Sequence, residues 1–200
     1  MRTIRSVLVV AGAAWLGLAT TASAEAPKPG APAPEISVTG LDGKSHTLAD
    51  FKGKAVVLEW NNFDCPFVAR LYKTGILPAL QKKYTATGVV WLVVNSSAKG
   101  KQGHYEPVAM KERATQEGLA GTAYVYDNEG RTGKAYGAPT TPTLVVVDKD
   151  GVLRYWGALD DKPQGGEGAT NYVAAALDAL AAGKEVETKT TKPYGCGVKY

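Results

Sequence analysis

A chain of 200 residues, 44% of them hydrophobic, is long enough to bury one sizeable core. Its 23 basic and 19 acidic residues give a net charge of +4 without basic clusters interleaved with aromatics, which argues against a nucleic-acid partner. The two histidines, His46 and His104, stand apart and the cysteines, Cys65 and Cys196, are far apart in sequence, so no metal-ligand spacing is read and no cofactor is expected.

Residues 1–24 read as a cleavable signal peptide. Arg2 and Arg5 form a basic start, Val7 to Ala19 an apolar run, and Ala22-Ser23-Ala24 a small-residue cleavage site. The run is short of the ~20 residues that span a bilayer, and no later segment is long and apolar enough to cross one. The expectation is an exported, periplasmic protein with no stable membrane insertion after cleavage. Arg2 and Arg5 are the only charges of the signal, so its loss lowers the net charge from +4 to +2.

Residues 25–34 hold Pro27, Pro29, Pro32 and Pro34 and read as an extended linker. A domain over residues 35–183 follows. Ile36 to Val38 and Ser45 to Thr47 flank a glycine-bearing turn and predict an N-terminal β-hairpin, after which Thr47 to Phe51 predicts a short helical turn. Ala55–Trp60, Val89–Val94, Tyr124–Tyr126 and Thr143–Val147 are apolar runs of the kind that suits strands covered on both faces. Between the first two, Val68, Tyr72, Ile76, Leu80 and Tyr84 recur every four residues, predicting an amphipathic helix that Pro78 should kink or divide. Tyr105 to Glu117 predicts a weaker helix ended by Gly118. Asp148-Lys149-Asp150-Gly151 predicts a tight turn into an antiparallel strand over Val152–Trp156. A glycine-rich loop, Gly165 to Gly168, precedes a last helix over Asn171–Ala182, and residues 184–200 form a polar tail carrying Cys196. The order β-α-β-α-β-β-α after a hairpin is an α/β layer arrangement with a mixed sheet.

Cys65 lies between the first core strand and the first helix, where the helix N-terminus favours a thiolate, although the neighbouring Asp64 opposes it. Cys196 sits between Gly195 and Gly197 and reads either as a resolving thiol or as one end of a structural clip. Closing the intervening chain would stabilise by roughly 4 to 5 kcal/mol in the chain-entropy model. As the only thiols, the two are expected to form one intramolecular disulfide in an oxidising compartment. Glu59 is an acid inside an apolar strand. Burial would raise its pKa and suit acid–base work, whereas partial solvation would pair it with a lysine such as Lys54. Asn61, Asn62, Asn95, Ser96 and Ser97 follow or end strands on the Cys65 side and read either as the lining of a polar pocket or as ordinary loop residues.

Pro29-Gly30-Ala31-Pro32-Ala33-Pro34, Cys65-Pro66-Phe67-Val68, Ala138 to Thr143 and Asp148 to Gly151, in this order and spacing, resemble the thioredoxin superfamily. Within it the chain is similar to the redoxin group of peroxiredoxin-like exported proteins. The resemblance implies a thioredoxin-like three-layer fold, and a cis Thr141-Pro142 bond facing the cysteine, with Thr141 offering its backbone to substrate. It also implies that Glu59 stands where the superfamily relays protons to an inner cysteine. That inner cysteine is absent, because Val68 fills its place. The peroxidase signature is absent too: counting back from Cys65, Asn62 stands for the required Thr or Ser and Leu58 for the Pro. A copper-delivery role would need a cysteine where Ala69 stands. Three readings follow. One is a thiol–disulfide oxidoreductase acting on protein or small-molecule thiols and disulfides, with Cys65, Cys196 and Glu59 in the chemistry and Thr141, Pro142, Asn61 and Asn62 at the substrate. The second is an atypical thiol-dependent peroxidase with antioxidant activity, and the third a non-catalytic binding domain whose disulfide is structural.

Overall fold

The computed structural model describes residues 26–200; the signal peptide read at residues 1–24 lies outside them. In chain order the elements are β1 (Val38–Gly40), β2 (Ser45–His46), a 3-10 turn (Leu48–Phe51), β3 (Val56–Trp60), α1 (Pro66–Lys73), α2 (Ile76–Thr85), β4 (Val90–Asn95), α3 (Pro107–Gln116), β5 (Ala123–Tyr126), α4 (Arg131–Ala135), β6 (Thr140–Thr141), β7 (Thr143–Val147), β8 (Leu153–Gly157), α5 (Tyr172–Ala181) and β9 (Cys196–Gly197). Seven strands form one sheet in the order β2-β1-β5-β4-β3-β7-β8. β3 is parallel to β4 and β4 to β5, whereas β7 lies antiparallel to β3, and β8 to β7. The mixed α/β sheet is the one expected, and the N-terminal hairpin joins it as an antiparallel edge.

Every residue of β3, β4 and β7 is buried, as their unbroken apolar runs require of strands covered on both faces. Alternate side chains feed two cores. Val57, Trp91, Val93, Leu144 and Val146 pack with residues of α1, α2, α3 and α5. Val56, Leu58, Trp60, Leu92 and Val145 pack with Tyr136 behind α4 and with Leu48 and Phe51 of the 3-10 turn. The result is helices on both faces of a central sheet, with Cys65 on the more heavily covered side. Among the described residues no helix is long and apolar enough to cross a membrane.

The long amphipathic pattern breaks earlier than Pro78. Gly75, at φ 74°, separates α1 from α2, and Pro78 sits harmlessly in the first turn of α2. The break also shifts the buried face. Leu77 and Gln81 are fully buried, while Ile76 and Leu80 of the expected stripe are only partly so. Helix α4 has no counterpart in the predicted elements. Its start is fixed from outside, by Asp127 accepting from the Thr132 and Gly133 amides at 3.1 and 2.8 Å.

Both flanking segments are tied to the β7–β8 hairpin. The Gly30 amide donates to Leu153 (2.8 Å), Leu153 to Ala31 (3.0 Å), and Ala33 to Gly151 (2.9 Å). On the way to β9 the tail makes a parallel bridge between Thr190 and Trp156, buries Val186, and accepts the Ala158 amide on Thr191 Oγ1 at 2.9 Å. It thereby covers the outer edge of β8, which would otherwise present unpaired backbone groups.

Candidate thiol active site

Cys65 is the N-cap of α1, with extended backbone (φ −79°, ψ 122°) and Pro66 at the first helical position. The Asn62 carbonyl accepts its amide at 2.9 Å, and its own carbonyl accepts from Ala69 at 2.8 Å, starting the helix. The side chain is 0% exposed. Its Sγ donates to the carbonyl of Thr141 at 3.0 Å, and the Thr141-Pro142 bond is cis.

The tail completes the site. β9 pairs antiparallel with β6, placing Cys196 opposite Thr141 and Gly197 opposite Thr140. The Val198 amide adds a bond to Pro139 at 3.2 Å. Gly195 makes this approach feasible: at φ 133° it holds a conformation that side-chain-bearing residues rarely adopt, and a β-carbon there would collide with the Thr141 carbonyl. Both cysteines are free thiols, and Cys196 is partly exposed.

The two thiols are unequal. Burial alone would push Cys65 up, but hydrogen bonds from the Cys196 thiol, the Val68 amide, Thr141 and the Cys196 amide together hold it below the ordinary 9.0. Burial pushes Cys196 up to about 11, aided by its hydrogen bond to Cys65 and by the charge there. Of the two, Cys65 is therefore the thiol that ionises first and Cys196 the one that holds its proton longer. Asp64, expected to oppose the thiolate, faces elsewhere: it accepts from Tyr105 Oη at 2.9 and 3.0 Å and lies 3.8 Å from Arg113.

Glu59 is also 0% exposed, but it is enclosed by four donors. Asn61 Nδ2 (3.1 Å) and Tyr72 Oη (2.9 Å) donate to Oε1, and Gln81 Nε2 (2.9 Å) and Trp91 Nε1 (2.8 Å) to Oε2. Burial pushes its carboxyl up, and the four bonds offset that only in part. No hydrogen bond joins Glu59 to Cys65, and Lys54 is not its partner. Asn61 is thereby drawn to Glu59. Asn62 shapes the turn before Cys65, accepting the Asp64 amide at 2.9 Å and donating to Gln102 at 3.4 Å.

The remaining polar strand ends do not line an open pocket. Asn95 Nδ2 holds Gly103 and Tyr124, both at 2.7 Å, and Asn95 Oδ1 accepts the Ser97 amide. Ser96 bridges Trp60 and Asp127. A cleft of about 760 Å³ lies at the other end of the sheet, lined by Lys54, Val89, Asp150 and Leu180 among others, and contains none of these residues.

Sequence reasoning missed the tail's two anchors. Tyr194 donates to Asp160 Oδ1 at 2.8 Å, and its ring lies 5.8 Å from that of Phe67, two residues beyond Cys65. Tyr200 donates to the Ala138 carbonyl at 2.8 Å, with its ring against Gly130 and Gly133, where β-carbons would strike it. Two tyrosines in an otherwise polar tail were the available signal.

The Redoxin family model matches residues 28–175. A Geobacillus thermodenitrificans protein named Thiol-disulfide oxidoreductase ResA is 28% identical over 127 residues, covering 62% of this chain and 66% of that relative, just under two thirds of its length. The crystal structure of an uncharacterized conserved protein from Geobacillus kaustophilus superposes with a TM-score of 0.77 at 33% identity, over 86% of this chain and 92% of that one. A hypothetical protein from Sinorhizobium meliloti gives 0.72 at 28% identity, over 88% and 96%.

Proposed function

The chain belongs to the redoxin family of the thioredoxin superfamily, and from that premise we propose that it is a thiol–disulfide oxidoreductase with Cys65 as attacking thiolate and Cys196 as resolving thiol. The observation that carries this reading is the Thr141–Cys196 register, which brings the second thiol to the carbonyl that Cys65 Sγ bonds beside the cis Thr141-Pro142 link; the two acidities shift in opposite directions. A low thiol pKa supplies the nucleophile at neutral pH, and a high one keeps the partner protonated until it is needed. Cys65 attacks a disulfide sulfur, expelling one thiolate and forming a mixed disulfide. Cys196 then loses its proton to the departing thiolate, attacks Cys65 Sγ and releases the second sulfur as a thiolate, leaving a Cys65–Cys196 disulfide. Thr141 and Pro142 shape the approach to Cys65. Glu59 holds β3, α1, α2 and β4 together and, lacking a bond to Cys65, acts through the framework. The Geobacillus thermodenitrificans relative, named a thiol-disulfide oxidoreductase, agrees with this chemistry. The signal peptide read at residues 1–24 supports export to an oxidising compartment, where the pair would rest as a disulfide.

The peroxidase reading has less support, because Asn62 spends its side chain on Asp64 and Gln102 and donates nothing to Cys65. Disulfide-linked insulin is the test. The wild-type protein, kept reduced, accelerates its reduction, Cys65→Ser lowers the rate to background, and Cys196→Ser accumulates a mixed disulfide on Cys65. An active Cys65→Ser protein would refute the assignment.

A further inference from the structure

Strand β6 is an edge, and its one strand partner among the described residues is the two-residue β9. An edge of free amides and carbonyls is a template on which an extended polypeptide adds a strand. This edge lies against the nucleophile, since Thr141 both pairs with Cys196 and accepts from Cys65 Sγ. The tail that fills it is held mainly at its two ends. Tyr194 clasps Asp160 and Phe67 on one side, and Tyr200 clasps Ala138 and the glycine groove of α4 on the other, with Ala98 donating to Lys199 at 2.8 Å. Between the clasps the strand is held by a few bonds to residues 139–141 and by the packing of the partly buried Cys196 and Val198. With the tail seated, Cys65 is 0% exposed.

Thr141 is the backbone that the superfamily resemblance offers to substrate, and we infer that the tail is a built-in competitor for it: β9 lifts from the Thr140–Thr141 edge to admit an extended, cysteine-bearing polypeptide segment and re-pairs to expel it. The inference rests on the thiol–disulfide reading for its chemistry, and it gives that chemistry an order. A disulfide-bearing segment pairs with β6 in place of β9. Cys65 thiolate attacks one of its two sulfurs, the substrate S–S bond breaks, one thiolate leaves, and a Cys65–substrate disulfide forms. The tail then competes for the same edge. As β9 re-pairs, Cys196 attacks Cys65 Sγ, the mixed disulfide breaks, and the segment departs as the second thiolate. Two electrons have passed from the protein dithiol to the substrate disulfide, and the Cys196 proton ends on a departing thiolate. The register also sets a preference. A segment lying as the tail does has its cysteine opposite Thr141, and the residue before that cysteine meets the Thr141 carbonyl as Gly195 does, so glycine is favoured there.

The experiment reads access to Cys65 without turnover, so its outcome is independent of whether insulin is reduced. In a Cys196→Ser background, iodoacetamide alkylates Cys65 at a rate set by tail opening. Tyr200→Ala, which removes one clasp, should raise that rate at least about 10-fold, the equivalent of roughly 1.4 kcal/mol. Tyr200→Phe, which keeps the ring and loses the bond to Ala138, should fall between. A synthetic peptide of residues 192–200 with serine at position 196 should slow alkylation of the Tyr200→Ala protein, and the same peptide with valine at position 195 should not. In the unmodified protein, the Ala98 and Val198 amides should exchange hydrogen together and at least about 100-fold faster than the Val57 amide. Alkylation rates within twofold across the tyrosine series, a peptide without effect, or tail amides as protected as Val57 would each overturn the inference and make the tail a fixed part of the fold. Faster alkylation in a protein that fails to reduce insulin would sustain the gated edge and refute the assigned activity.

Discussion

Glu59 and Cys65 stand six residues apart, one in β3 and one at the start of α1, and both are 0% exposed. Their enclosures differ. Glu59 is sealed by side chains from α1, α2 and β4, and by Asn61 just past β3, each delivering a donor to one carboxylate oxygen. Cys65, on the edge of the core cluster, bonds a carbonyl that belongs to a short edge, and the partner of that edge is a two-residue strand at the end of the chain. Burial of a titratable group is therefore no guide to its role until the covering element is named. A lid of core helices makes a strut, and a lid of tail makes a gate.

Emptying the strut should have the largest effect. Glu59→Ala leaves four buried donors unmatched and a cavity between three elements, and should cost roughly 3–5 kcal/mol in urea unfolding. A loss below 1 kcal/mol would show the enclosure to be incidental. The pH dependence sharpens this. The folded carboxyl is raised, so the folded protein retains a proton that the unfolded chain gives up. The contribution of Glu59 is thus fully present below the unfolded value of 4.5 and is lost as pH rises from there through the raised folded value. Glu59→Gln should remove that slope from a series of urea midpoints, whatever its own stability.

On the gate side, Cys196→Ala removes the largest of the bonds that hold the Cys65 thiol down. Thiolate absorbance titrated in the ultraviolet should show the Cys65 midpoint higher in Cys196→Ala than in Cys196→Ser, which keeps a donor in place. In the wild-type dithiol one absorbance step should come below the ordinary 9.0 and a second near 11. A reversed order of the two variants would mean that the tail does not tune the nucleophile.

Asp64→Asn should do least. Its carboxylate is occupied by Tyr105 and Arg113 rather than aimed at the thiol, so the Cys65 midpoint should be unmoved and stability should change by less than about 1 kcal/mol. A clear drop of the midpoint in Asp64→Asn would restore the charge opposition that adjacency in sequence suggested.

The sequence by itself determined the layered α/β plan, the strand runs of β3, β4 and β7, the β7–β8 turn and the helix-start position of Cys65. These follow from periodicity, burial and turn chemistry acting over a few residues. It also carried the redoxin resemblance that the family match bears out. It misjudged the division of the first helix, since Pro78 drew attention from Gly75, whose φ of 74° ends one helix and resets the buried face of the next. Only the tertiary structure decided the rest: that Gln81 and Trp91 close on Glu59, that Asp127 starts α4, and that a tail read as polar pairs with Thr140–Thr141 beneath two tyrosine clasps. Each joins residues more than 20 apart in sequence, or a side chain to a distant helix end, except Asp127, whose acceptor role shows only once α4 exists. Contacts across such distances leave no local period, because what selects them is the register of strands that have already packed.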